Sequence, residues 1–441
     1  MPPLLAAALI VLFEALAFGA VLPVMSYYCQ QLGGGPAMVG ILFALVSAPK
    51  IITNPLFGWL SDRFGRKPIL AVNTVGTLAG SLLWGLSPSL AWLAVSRATV
   101  GVFGAQAGIA QAIAADSSPP DRRAASVGLL GAMFGLAIAF GPPLGGWVGS
   151  HVSYAAVGWL CAGMQAASLA VILFALPETR PRSAGRCTSC GYNLRGLPAN
   201  RCPECGTPFD ATAEAGPASA GARIANAEAA EGDDERPATP VWARGPVVYL
   251  LIVTLALTLA QSIMICAYPL TGQHVYGFSV RQTSYAFALF GLVGVIVQGG
   301  VVRVLTAKIG DRRTLLTGLL ILACGFAWLA LRPDLAGFWI STVLMGIGSS
   351  LATPCVTALL SRRVGSHEQG ALMGVSQAVL GLGRAAGNSA GGALFNVGSS
   401  PAAFAAAAGM SVVTLGLTAA MRRRDGASRD GGAPVRSEPR A

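Results

Sequence analysis

The chain has 441 residues, of which 54% are hydrophobic and only 11% charged, against about 25% charged in an ordinary soluble domain. Its 30 Lys plus Arg outweigh 19 Asp plus Glu, giving a formal net charge of +11. This balance excludes a disordered chain, a disulfide-knit secreted fold and an ordinary cytosolic enzyme, and leaves an integral membrane protein.

Runs of about 20 apolar residues, enough for a hydrocarbon core about 30 Å thick, fall at 4–28, 38–61, 69–87, 90–115, 124–149 and 153–176. After a polar gap, six more follow at 246–269, 281–303, 313–331, 335–360, 368–393 and 402–421. The expectation is an all-α membrane protein with twelve transmembrane helices. Segments 1–177 and 246–421 form two six-helix bundles, 178–245 is a linker and 422–441 a disordered tail. The first run lacks a basic leader and a small-residue cleavage site, so it is expected to be a retained helix and not a signal peptide.

The charges sort by side. Connections 2–3, 4–5, 8–9 and 10–11 carry Arg63, Arg66, Lys67, Arg122, Arg123, Arg303, Lys308, Arg312, Arg313, Arg362 and Arg363. The opposite connections carry only Arg281 and Arg332. Eleven against two is a positive-inside signal, which puts both termini and the linker in the cytoplasm of a cell (inner) membrane. The basic excess is therefore topological. The bilayer is the expected partner, nucleic acid is not, and a monomer is expected.

Within the spans, charges are rare and costly, and so point to function. Glu14 is the one acid of 19 that lies deep, about ten residues into the first helix, or about 15 Å at 1.5 Å per residue. Lys50 in span 2, Arg97 in span 4 and Arg384 in span 11 are the other embedded charges. A carboxyl withdrawn from water can bind and release a proton near neutral pH, which makes Glu14 the candidate proton carrier. A static Glu14–Lys50 ion pair is the alternative. Arg384 either meets an anionic substrate group or caps a neighbouring helix. Asn54, Gln106, Gln261, Gln298 and Gln377 either line a cavity or join helices by hydrogen bonds.

The most specific stretch is Gly58-Trp-Leu-Ser-Asp62-Arg63-Phe-Gly65-Arg66-Lys-Pro68, between spans 2 and 3, with a degenerate copy at Gly300–Arg313. Gly58 permits close helix approach, Gly65 a tight turn, and Asp62 can cap a helix or pair with arginine. Span 5 carries Gly131, Gly135 and then Gly141-Pro142-Pro143-Leu-Gly145-Gly146. Small residues at that spacing let membrane helices meet backbone to backbone, while the prolines bend the helix. Shifting Arg122–Gly146 by 246 positions lays Gly128, Gly135, Gly141, Gly145 and Gly146 on Gly374, Gly381, Gly387, Gly391 and Gly392. The halves are therefore duplicated, an architecture that places a site at the interface of the repeats.

These motifs resemble the major facilitator superfamily, and within it the drug/proton antiporter branch. The resemblance implies two pseudo-symmetric bundles, with Gly58, Asp62, Arg63, Gly65 and Arg66 latching the cytoplasmic side. It also implies a sliding contact at Gly141, Pro142, Pro143, Gly145 and Gly146, with span 8 (Gly291, Gly294) as partner. Glu14, Gly19 and Pro23 follow the pattern of the branch's first helix. Arg97, opening Arg-Ala-Thr-Val-Gly101, resembles a motif that assists proton coupling, unless it snorkels to the outer surface. Most of the chain resembles the tetracycline/proton antiporters. Gly80, Gly294 and Leu322, however, align where those carry an acid, a His and an acid, so tetracycline is not the expected substrate.

The linker holds Cys187-x2-Cys190 and Cys202-x2-Cys205, with eleven residues between the pairs. Two such knuckles can offer four thiolates tetrahedrally to zinc, and the segment 186–206 resembles a short zinc ribbon. A structural zinc is expected there, with a protein partner for the ribbon as one role. No cofactor is expected for transport beyond the proton gradient, and no enzyme activity. The function expected is a proton-coupled antiporter exporting small amphiphilic organic compounds. The alternatives are an importer of a small metabolite, or a membrane sensor signalling through the ribbon.

Overall fold

The computed structural model describes residues 2–118, 123–178, 201, 244–332, 334–363 and 369–427. These residues are almost wholly helical. The first half comprises α1 (Pro3–Gln31), α2 (Pro36–Phe64), α3 (Arg66–Gly85), α4 (Leu90–Ala114), α5 (Gly128–His151) and α6 (Ala156–Ala175). The second comprises α7 (Gly245–Tyr276), α8 (Val280–Ile309), α9 (Asp311–Ala330), α10 (Leu335–Ser361), α11 (369–398) and α12 (Ser400–Ala420). Twelve spans were expected. Among the described residues eleven helices are long and apolar enough to cross a membrane, and α11, diluted by Arg384 and its glycines, falls short. The described residues within 1–178 and 241–441 belong to one compact unit.

Helical structure continues from Gln369 to Ala427, six residues into the expected tail. The partners along α7 nevertheless show a reversal. Gly383 packs on Thr258 and Gly391 on Ile263, and Ser400 Oγ accepts from Thr271 Oγ1 at 3.0 Å. The Tyr249 hydroxyl then donates to the carbonyl of Leu417. The chain thus climbs α7 from residue 258 to 271 and returns to 249. The turn falls near Pro401, whose missing N–H and locked φ interrupt a helix.

The duplication read from glycine spacing is repeated in the contacts. Gly65 ends α2 with φ 107° and Gly310 ends α8 with φ 82°, a left-handed conformation open mainly to glycine. Lys67 Nζ donates to the carbonyl of Leu173 at 2.9 Å, and Arg312, 245 positions on, donates to that of Thr418 at 3.2 Å. Each cation donates to a carbonyl of its half's sixth helix, Lys67 at the last turn of α6 and Arg312 within α12. Arg66 pairs with Asp116 at 3.2 Å, whereas Asp311 pairs with Arg362 at 2.8 Å. Equivalent positions therefore carry the same ion pair with its signs exchanged.

Apolar packing shows where the halves join. One core cluster runs through both, combining Tyr27, Tyr28, Val39 and Leu42 with Ile263, Tyr268, Phe278 and Phe395. At the end bearing the basic loops the core divides. Ala6, Ile10, Phe57, Leu70, Ile113 and Ile172 cluster in the first half, and Val247, Leu250, Leu360 and Leu372 in the second. The Tyr27 hydroxyl donates to the carbonyl of Phe278 at 2.7 Å, and Gln273 Nε2 donates to Gln30 Oε1 at 2.8 Å. Both bonds tie the halves at the end remote from the basic loops.

Candidate functional site

Two helices of the first half break at one level, and the breaks shape the site. Pro49 lacks an N–H and interrupts α2 between Ser47 and Lys50. The helix of α4 stops at Val102 and restarts at Gln106. Gly101 and Gly104 make room for the crossing. A Cβ on Gly101 would lie 3.1 Å from the Pro49 ring, and one on Gly104 would meet Lys50 Nζ at 2.6 Å. Lys50 therefore starts the second segment of α2 and lays its amine over the gap in α4. Asn73 Oδ1, from α3, accepts the N–H of Ala105 at 3.3 Å and satisfies part of the interrupted backbone.

Arg384 approaches from the second half. Gly381 and Gly392 of α11 pack on Ile51 and Gly40 of α2, and the carbonyl of Asn388 also meets Gly40. Residues 381, 384, 388 and 392 share one helical face, so Arg384 lies on the face turned to α2. Its side chain is exposed, as expected for a group lining an open cleft. Lys50 senses the charge of both Arg384 and Glu14. Lys50 is 14 residues from each end of α2 and Arg384 15 from the start of α11. At 1.5 Å per residue both are about 20 Å deep, near the midplane.

Glu14, on α1, completes the group. Its Oε2 is buried without a hydrogen-bond partner. Glu14 and Lys50 are not in direct ion-pair contact among the described residues, although each lies in the field of the other. Thr53 Oγ1 and Asn54 Oδ1, one turn beyond Lys50, are likewise buried without partners. Reading the sequence for charges passed over Thr53, because a threonine in a span gives no signal until its neighbours are known.

Other candidates lie apart from this group. Gln106 is fully buried, and its Nε2 donates to Thr77 Oγ1 at 2.9 Å, tying α4 to α3. Gln261 joins α7 to α10 through Ser349 at 2.8 Å. Gln298 is exposed in a short π-helical stretch of α8, and Gln377 is half-buried on α11. Arg97 does not snorkel. It is 5% exposed, with its guanidinium 4.5 Å from the centroid of the Trp84 ring and Nη2 donating to Ser96 Oγ at 2.9 Å. The indole face of Trp84 keeps the charge inside the protein.

The loop after α2 forms its own charge cluster. Arg66 Nη1 lies 2.6 Å from Asp62 and donates to Ser61 Oγ at 2.8 Å. Glu178, beyond α6, accepts the N–H groups of Arg66 and Lys67 at 2.8 and 3.2 Å, an anion at the start of α3. Gly58 has no neighbour that a Cβ would meet, and Arg63 stacks over Trp59 at 5.5 Å. Asp116 and Glu178 were not expected as partners. The available signal was that both are acids at span ends among clustered cations.

The glycines of α5 divide their partners differently from expectation. Gly141 packs on Gly19 and Gly145 on Ala20, both in α1, while Pro142 also touches Gly19. Gly146 alone of that run faces α8, at Ser284. Of the two glycines expected on α8, Gly291 meets Ile138 and Ala139 of α5, but Gly294 lies nearest Ser350 of α10. The 246-position shift explains this. Gly387 and Gly391 pack on α7 as Gly141 and Gly145 pack on α1, and Gly392 crosses to α2 as Gly146 crosses to α8. Pro143 lies within the same stretch of α5, inside the continuous helix. Cys187, Cys190, Cys202 and Cys205 lie outside the described residues, as does Arg122, and among the described residues no group of three or more metal-ligating side chains occurs.

A family model described as Major Facilitator Superfamily matches residues 7–304 and 250–441. The tetracycline resistance protein, class B, of Escherichia coli is 25% identical over 373 residues, covering 84% of this chain and 82% of that protein. The human organic anion transporter MFSD10 has a structure similar at TM-score 0.66 and 21% identity, over 95% of this chain and 99% of that one. A D-xylose-proton symporter matches at TM-score 0.71 and 12% identity, over 94% and 97%. At these identities the two structures speak for the fold alone.

Proposed function

The chain belongs to the major facilitator superfamily, and on that premise we propose that it is a proton-coupled secondary transporter of small amphiphilic organic solutes. The observation that carries this reading is the group of Glu14, Lys50 and Arg384, contributed by both halves near the midplane of helices whose cores are joined at one end and divided at the other. Charges at such depth are retained where a solute or ion passes, and a site between duplicated bundles is reached alternately from either side as the bundles rock. The basic loops mark the cytoplasmic side of the cell membrane, so this conformation faces the cytoplasm. In this reading Glu14 carries the proton and Arg97 supports α4 beside it. The Asp62–Arg66 loop holds the basic end when the opposite end opens. Exporting antiport, the form implied by the resemblance to tetracycline/proton antiporters, demands a substrate that competes with the proton at Glu14.

The test is solute-driven proton movement in proteoliposomes carrying a lumenal pH dye. Addition of a transported solute shifts lumenal pH with the native protein, and Glu14→Gln abolishes the shift while solute binding persists. Proton-driven transport that survives in Glu14→Gln removes Glu14 as carrier. A sensor would bind solutes and move neither them nor protons.

A further inference from the structure

Near the midplane the two cations outnumber the one carboxyl, and from this we propose that the transported solute is an organic anion, held by Lys50 and Arg384, which travels in the same direction as the proton on Glu14. The inference rests on the transport reading above and replaces antiport with co-transport.

Three observations carry it. Among the described residues Lys50 and Arg384 make no direct ion pair or hydrogen bond, and with Arg384 exposed and Lys50 half-buried both charges are open to an anionic ligand in the cleft. The two come from opposite halves, Lys50 at the break of α2 and Arg384 on the face of α11 turned to α2. A ligand touching both therefore bridges the parts that must move. Thr53 Oγ1 beside Lys50 is a buried hydroxyl without a partner, a donor suited to a carboxylate or sulfonate oxygen.

The sense of coupling follows from sign. Around Glu14, α2 contributes Lys50, which lies between the charges of Glu14 and of Arg384 on α11. On α4 lies Arg97, packed away on Trp84, and on α6 Cys161, whose Sγ donates to the carbonyl of Ala17 at 3.4 Å. The packed stretches of α5 (128–150) and α8 (282–302) carry no charged residue, and the titratable groups of α7 are Tyr249 near one end and Cys266, Tyr268, His274 and Tyr276 toward the other. Ionised Glu14 thus leaves the central group at +1, and protonated Glu14 leaves it at +2. An anion binds the second state more tightly, and by reciprocity a bound anion favours proton uptake at Glu14. Ligands that favour each other's binding cross together, whereas a cation would compete with the proton and exchange against it.

The experiment measures binding and uptake by the full-length protein of three probes matched in size: naphthalene-2-sulfonate, a naphthyl trimethylammonium and 2-naphthamide. Binding is read as thermal stabilisation in detergent between pH 5 and 8, and uptake in proteoliposomes with an imposed pH gradient. The expected result is that the sulfonate binds about 5- to 150-fold more tightly at low pH and accumulates on the side toward which protons flow. Glu14→Gln should hold the affinity at its low-pH value across the range. Arg384→Gln and Lys50→Gln should each weaken the sulfonate tenfold or more, with the amide unaffected. Transport of the cation or amide in preference to the sulfonate overturns the anion assignment and leaves the transport reading standing. Sulfonate affinity that rises with pH overturns co-transport. Failure of all three probes to bind at millimolar concentration overturns both readings.

Discussion

Replacing Gly392 with valine tests whether the α2–α11 contact holds the remote end closed. A Cβ at this position would lie 2.9 Å from the Cα of Gly40 and 2.7 Å from the carbonyl oxygen of Pro36, against 3.4 Å or more in ordinary contact. The first gap is short by about 0.5 Å and the second by about 0.7 Å, and neither neighbour is a side chain that can rotate away. Overpacking of this kind costs about 1–3 kcal/mol. The contact exists only while the remote ends of the two halves are together, so the cost falls on this conformation and spares one in which they part. At 1.4 kcal/mol per factor of ten, the equilibrium shifts about 5- to 140-fold toward the form open at the remote end. Cys29 and Cys266 report the change without added probes, being fully buried on α1 and α7 near the junction. A membrane-impermeant thiol reagent applied from outside should modify them faster in Gly392→Val by the same factor. Gly40→Val should behave alike, because it strikes the same contact from the other helix. An unchanged or slower rate in a folded, membrane-inserted Gly392→Val would refute the argument that this seam closes the end.

Further expectations concern the periphery. Exchanging Asp311 and Arg362 (Asp311→Arg with Arg362→Asp) reproduces the sign order that Arg66 and Asp116 show in the other half. The double variant should recover the roughly 0.5–1 kcal/mol that either single change costs, read as melting temperature in a double-mutant cycle. Arg97→Leu leaves Trp84 without its cation and should lower stability by about 1–2 kcal/mol, with a changed indole fluorescence that Arg97→Lys partly restores. The spacing of Cys187, Cys190, Cys202 and Cys205 predicts one zinc per chain by elemental analysis of the purified protein, lost in Cys190→Ser, while solute uptake stays at the native level. Uptake that falls with the zinc would tie the insert to transport.

The helices and the duplication were legible because both are local. Apolar run length marks each span, and glycine spacing repeats at a fixed shift whatever the glycines touch. Their partners were not legible. Gly141 and Gly145 sit in a run that includes Gly146, yet the first two turn to α1 and the third to α8. One residue of helix rotates the direction by about 100°, and only the packed neighbours decide which direction meets which helix. The same holds for charge. The depth of Glu14, Lys50 and Arg384 follows from counting residues, but that Arg384 shares a face with the glycines packed on α2 depends on the contact of α11 with the other half. Arg97 was open between two readings because its neighbour across the helix pair, Trp84, is 13 positions away in sequence and on another helix.

The packing also limits how the molecule can open and close. In each half the glycines at 141/145 and 387/391 bind the fifth helix to the first of the same half through close backbone approach, joined in the second half by the Cβ atoms of Ser262 and Cys266. Those seams join a bundle to itself and have to move as units. The residues one position on, Gly146 and Gly392, cross to the opposite half, where they meet Ser284 and Gly40. A single helix thus carries a fixed face and a parting face about 100° apart. Rocking has to turn about the α5–α8 and α2–α11 contacts, because these are the close backbone approaches between halves. Lys50 and Arg384 lie at the inner limit of the α2–α11 contact, where Gly381 meets Ile51. As the basic ends close and the remote ends part, that limit is the place where contact persists longest. The charged pair therefore sits at the pivot, where a small bound ligand spanning both halves can bias the motion with the least displacement of its own.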